Sequence, residues 1–141
     1  MRTLEQLNRI TGTIIDAALV IHRDFGPGLL ESVYEMMLEC ELRDRGLFVR
    51  RQVGVQFTYR GRCFKDAFRV DLLVEECVVV ELKSAVRDEP VFAKQVLTYL
   101  RVLNLPIGLV INFGAPLLKN GVRRLINDRP QISRVECTFF A

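Results

Sequence analysis

Histidine is almost missing from this chain. His22 is the only one among 141 residues, which leaves no sequence sign of a Ser-His-Asp hydrolase. No G-x4-G-K-(S/T) loop occurs, so a phosphate-cradling nucleotide site of that type is a poor fit. Cys40, Cys63, Cys77 and Cys137 are scattered without a CxxC pair, which argues against a zinc knuckle and a disulfide framework. Reduced, mostly buried thiols are expected. No apolar run approaches the roughly 18 residues of a spanning helix, and Met1 precedes an amphipathic segment rather than a signal peptide. The expectation is a cytoplasmic protein without membrane contact. Internal repeats, low-complexity stretches and linkers are also lacking.

What is present fits one well-buried core: the chain is 50% hydrophobic and 26% charged, and too short for two ordinary domains. A single α/β domain over residues 1–141 is expected. A formal charge of +3 is too small to argue for a polyanionic partner by itself. Its distribution is more informative. Arg43, Arg45, Arg50 and Arg51 bracket a helix-to-strand junction, Arg60, Arg62, Lys65 and Arg69 surround a turn, and Arg123 and Arg124 lie near the end. A phosphate-binding stripe and ordinary solvated faces are equally good readings of these groups.

Thr3 and Gln6 form a capping-box pattern ahead of Leu4, Leu7, Ile10, Ile14, Ala17, Ala18 and Ile21 at helical spacing, predicting a helix from about Leu4 to His22. Phe25-Gly26-Pro27-Gly28 breaks it. Leu30, Val33, Tyr34, Met37, Leu38 and Leu42 mark a second helix ending near Gly46. Val53, Val55, Phe57 and Tyr59 then alternate with Gln52, Gln56 and Thr58 up to an Arg60-Gly61 turn. Two Val-rich strands follow around Glu76. Asp88 is a candidate cap for a third helix with Pro90 in its first turn, stopped by Asn104 and Pro106. Ile107–Ile111 reads as a strand buried on both faces and parallel to a neighbour.

If Glu76 is the apex of the Val-rich hairpin, Asp71 falls opposite Glu81, and strand alternation puts Lys83 on the same face as Glu81. A hydrated magnesium ion wants one or two carboxylates, and Asp71 and Glu81 would supply them, with the Leu82 carbonyl as a further oxygen. Lys83 would orient or deprotonate a water, or offset charge on a pentavalent phosphate. The spacing taken alone favours a plainer reading, a cross-strand ion pair of Lys83 with the two acids. On helix three, Gln95 and Tyr99 lie one turn apart on the apolar side, where a buried amide needs partners. Glu31, at the margin of the second helical stripe, is a candidate third acid or a first-turn carboxylate favoured by the helix dipole.

Gly28-Leu29-Leu30-Glu31-Ser32-Val33-Tyr34 resembles the GxxExxY signature of a group of small proteins within the PD-(D/E)XK nuclease superfamily. Arg69–Val74, Val80–Lys83, Gln95–Leu100 and Gly108–Gly114 resemble its later blocks in order. The resemblance spans roughly Leu7 to Asp128. It implies a restriction-endonuclease-like core, a mixed central sheet flanked by helices. It further implies a metal-dependent nuclease using Mg2+, with Mn2+ as a substitute, acting on nucleic acid and on DNA in preference to RNA. Glu31, Asp71 and Glu81 match the acidic positions and Lys83 the catalytic lysine, while Gln95 and Tyr99 match the QxxxY element of RecB-type nucleases. His22 stands where such proteins often carry histidine, although a helix-end residue satisfying a carbonyl is the simpler reading. Val70 replaces the superfamily's proline without removing a chemical group. The alternative class is a non-catalytic nucleic-acid or protein adaptor, with homodimer formation and the role of the tail from Gln131 to Ala141 left open.

Overall fold

A computed structural model describes residues 1–129 and 135–140. Helix α1 spans Leu4–Phe25 and opens on the expected capping box, in which the Thr3 hydroxyl accepts from Gln6 N–H and the Gln6 side chain accepts from Thr3 N–H. It runs past His22 and stops at Gly26, whose positive φ of 69° suits a residue without a Cβ. Helix α2 (Glu31–Asp44) follows. The strands β1 (Val49–Tyr59), β2 (Arg62–Val74) and β3 (Val78–Lys83) precede α3 (Pro90–Leu103), β4 (Ile107–Asn112), a short 3-10 turn at Leu118–Gly121, β5 (Val122–Ile126) and β6 (Val135–Phe140). The strands form one mixed sheet in the order β5-β4-β3-β2-β1-β6. Among the described residues only the β3–β4 pair is parallel, with α3 as its crossover.

The helices cover both faces of the sheet. Leu7, Ile10, Ile14, Ala17, Ala18 and Ile21 of α1 and Tyr34, Leu38 and Leu42 of α2 pack with Leu72, Val74, Val80 and Leu82. Val96 and Leu100 of α3 pack on the other face against Val53, Val70, Leu73, Val79 and Val110. All of β4 is buried, which explains its unbroken apolar run. The Arg60-Gly61 turn is present with both residues at positive φ. Of the tail left open by the sequence, Val135–Phe140 is an edge strand antiparallel to β1, and residues 131–134 and 141 lie outside the described residues.

Two expectations are corrected. Asp88 does not cap α3: Glu89 holds the cap position without a side-chain bond, Pro90 opens the first turn, and the Asp88 carboxylate is taken by the Arg123 guanidinium of β5. The thiols are not mostly buried, since Cys40 and Cys63 are exposed and Cys77 and Cys137 only partly covered. In β1, Val53 and Val55 share the α3 face as the alternation expects, but the pattern does not extend back to the start of the strand. Val49 packs with the α1/α2 face and Val53 with the α3 face, although an even spacing should keep them together. Gln52 between them has φ 50°, a left-handed conformation that reverses the pattern.

Candidate active site

The β2–β3 hairpin pairs Val74 with Val78, Leu73 with Val79 and Leu72 with Val80, and the next step brings Asp71 beside Glu81. The Asp71 N–H donates to Glu81 Oε1 at 3.3 Å, and Leu82 N–H donates to Asp71 Oδ2 at 2.8 Å. Glu81 is only 5% exposed. Burial, followed by the charge of Asp71, pushes its carboxyl up to about 9. Two acids are thus held together where one of them keeps its proton at neutral pH.

Lys83 does not neutralise them by a direct ion pair among the described residues. Its ammonium donates to Gln95 Oε1 of α3 at 3.4 Å and lies 4.9 Å from the centre of the Phe92 ring. The simple cross-strand salt bridge is therefore not the arrangement found. Gln95 is half-buried, as is Tyr99 one turn on, whose ring stacks flat on Phe68 at 4.1 Å. Burial, then the Glu81 charge, raises the Tyr99 hydroxyl, while a bond from Gln95 opposes the rise.

The Gly28–Tyr34 segment reaches the same place through a local clamp. Tyr34 is fully buried, stacks on Phe113 at 4.3 Å, donates its hydroxyl to Gly26 O and accepts from Leu29 N–H at 3.1 Å. Ser84, next to Lys83, donates to Leu29 O at 2.8 Å. Together these bonds tie the loop before α2 to the end of β3. Glu31 then stands at the exposed rim of the cluster, where partial burial raises its carboxyl, Lys83 opposes the rise, and Asp71 and Glu35 add to it. His22 is not part of this group: its Nε2 meets Ala115 O at 2.8 Å, as the carbonyl-satisfying reading expects.

Several supporting residues escaped the sequence reading. Glu35, 5% exposed, is bound by Arg51 Nε at 3.0 Å and by Gln52 Nε2 at 3.1 and 3.0 Å. The same Gln52 amide reaches Asp71 Oδ1 at 3.3 Å. Successive strand side chains normally point to opposite faces, so Arg51 and Gln52 share Glu35 only because of the positive φ at Gln52. A signal for Glu35 existed: with Leu38 and Leu42 it falls at helical spacing on the buried stripe of α2. Asn112, 1% exposed, clamps the chain just after Lys83, accepting from Ala85 N–H at 2.9 Å and Gly114 N–H at 3.0 Å and donating to Ala85 O at 3.1 Å. A Cβ on Gly114 would lie 2.3 Å from Ala85 O and 2.6 Å from Ala85 N. Gly114→Ala should accordingly cost on the order of 1–3 kcal/mol, read as a lower urea midpoint with an unchanged slope.

The basic groups also separate. Arg43, Arg45, Arg50 and Arg51 are engaged by Glu39, Glu41, Glu76 and Glu35, and Arg123 by Asp88. These are structural or solvated-face contacts. A hollow of about 500 Å³ bordered by Arg2, Glu75, Cys77, Leu105 and Asn127 lies at the turn end of β2–β3 and shares no residue with the acidic cluster.

Among the described residues, no three His, Cys, Asp or Glu side chains are grouped closely enough to hold a metal ion by themselves. Asp71 and Glu81 form the compact pair, and Glu31 borders it. Two adjoining carboxylates suit a hard dication that takes its remaining oxygens from water and substrate. Residues 8–125 match the family model of the PD-(D/E)XK nuclease superfamily, and the chain belongs to that superfamily. Nucleases of this superfamily generally use divalent metals, and the mixed six-stranded sheet with its flanking helices has the restriction-endonuclease-like form. No curated protein and no solved structure matched the chain. No helix among the described residues is long and apolar enough to cross a membrane.

Proposed function

We propose that this protein is a Mg2+-dependent nuclease of the GxxExxY group, with Mn2+ as a substitute ion, that hydrolyses phosphodiester bonds of DNA in preference to RNA. The observation that carries this reading is the contact of Asp71 with Glu81, with Lys83 one strand period away and bonded to Gln95 instead of to the acids. Asp71 and Glu81 would hold the ion, with Glu31 and the Leu82 carbonyl as further oxygen donors. A bound dication supplies positive charge at the phosphate and acidifies water. Lys83 offsets the charge that develops on the phosphate, and Gln95 fixes the direction of its ammonium. Tyr99, packed on Phe68, lies one turn of α3 beyond Gln95.

Calorimetry with Mg2+ and Mn2+, run beside a cleavage screen of plasmid and oligonucleotide substrates, tests the reading. Metal-dependent cleavage that disappears in chelator is expected. A folded protein that binds these ions but cuts neither DNA nor RNA would move the assignment to a non-catalytic adaptor.

A further inference from the structure

The β1–β2 hairpin is longer than the core needs. Every residue from Arg62 to Ala67 is exposed, and packing against α3 resumes only at Phe68. An arm of this kind ordinarily carries polar side chains, but Tyr59 is 40% and Phe64 46% exposed. The register places them on one face: Tyr59 pairs with Arg62 and Phe57 with Phe64, whose rings stack at 5.3 Å. Arg60 lies 5.4 Å from the centre of the Tyr59 ring. Tyr59, Arg60, Arg62 and Phe64 border an open hollow of about 440 Å³.

Charge on the arm is one-sided. Among the described residues Arg60, Arg62 and Lys65 form no ion pair, in contrast to the arginines near α2. Asp66, the acid within Arg62–Phe68, is engaged by Arg69. Unpaired cations interleaved with exposed rings match the chemistry of a single strand, whose phosphates meet the cations and whose unstacked bases lie on aromatic faces. A stacked duplex offers its phosphates but keeps its base faces covered.

We propose that the tip of this hairpin, built on Tyr59, Arg60, Arg62, Phe64 and Lys65, grips single-stranded nucleic acid. The arm continues β2 away from Asp71, and Phe64 stands roughly 20 Å from it along the strand at about 3.3 Å per residue. A strand held at the tip can span that distance to the acidic pair, which makes the substrate of the site one with a single-stranded segment. This last step rests on the nuclease reading, whereas binding by the arm does not.

The test is fluorescence anisotropy of the full chain in EDTA with a labelled oligothymidine of about twelve nucleotides, beside a duplex of the same length. The single strand should bind more tightly than the duplex. Phe64→Leu and Tyr59→Leu, which keep apolar bulk but remove the ring, should each weaken it on the order of tenfold, and Phe64→Trp should retain it. Arg62→Ala with Lys65→Ala should flatten the salt dependence by about 0.7 per lost phosphate contact. Circular-dichroism melting of the Leu variants near wild type shows that the fold persists, and a lost melt directs the comparison to Phe64→Trp and the charge variants. Equal or tighter duplex binding, no binding of the single strand, or full binding by the Leu variants overturns the proposal. Strand binding without cleavage leaves the arm assigned and removes the nuclease reading, while cleavage with unaffected hairpin variants does the reverse.

Discussion

Lys83→Ala is expected to lower single-turnover cleavage by on the order of 10²-fold or more, the loss typical when a positioned electrostatic or proton-transfer group is removed. The Lys83 ammonium is held by Gln95 and by the Phe92 ring face, and it forms no ion pair with Asp71 or Glu81. Its removal therefore leaves the carboxylate contact itself in place. Mn2+ affinity should remain close to wild type, and binding of nucleic acid in Ca2+ should fall far less than cleavage, since one phosphate contact is a small share of nonspecific affinity. Gln95→Ala should give a smaller loss of the same kind, because it frees the ammonium without deleting it. An undiminished Lys83→Ala rate beside an active wild type would remove the lysine from the chemistry.

Glu81→Gln should change both metal affinity and the pH dependence of folding. In the metal-free protein the Glu81 carboxyl is raised from 4.5 to about 9, chiefly by burial and then by Asp71. Below the unfolded value the group is neutral in both states and imposes no penalty. Between the two values the unfolded chain is ionised while the folded chain keeps its proton, so stability declines as pH rises, by at most about 1.4 kcal/mol per unit. Above the folded value the decline ends. Glu81→Gln should abolish this slope and raise the melting temperature at pH 8 without metal. Asp71→Asn removes the second cause and should shorten the window. Mn2+ should restore stability to the wild type at pH 8 but not to Glu81→Gln. Both variants should lose metal affinity by more than roughly the 10- to 100-fold that attends loss of an outer-shell partner. Parallel melting curves of wild type and Glu81→Gln from pH 5 to pH 9, or unchanged calorimetric affinity in both variants, would place the metal and the buried proton elsewhere.

The acidic pair was legible because its placement is local. A tight turn around Glu76 fixes the pairing of adjoining strands, and period-two alternation then brings Asp71 to Glu81. The helical stripes of α1 and α3 and the buried run of β4 were readable for the same reason, since burial of one or both faces imposes its periodicity on the chain. The failed Asp88 cap shows where local reasoning stops: an aspartate before a helix is a good acceptor, but Arg123 is brought to it by the far strand β5. The face reversal at Gln52 had no counterpart in the alternation pattern, because nothing about a glutamine announces a positive φ.

By itself the sequence determined the order of the main elements, the parallel placement of Ile107–Ile111 and the convergence of Asp71, Glu81 and Lys83 on one strand end, all through spacings of a few residues. Tertiary structure decided which way Lys83 turns, that Gln52 links Glu35 to Asp71, that Asn112 holds the chain after Lys83, and which arginines are already engaged. Those partners lie on separate elements distant in sequence. Only closure of the whole sheet between its helices brings them within bonding distance, and a side chain's direction is set by what burial leaves unpaired there.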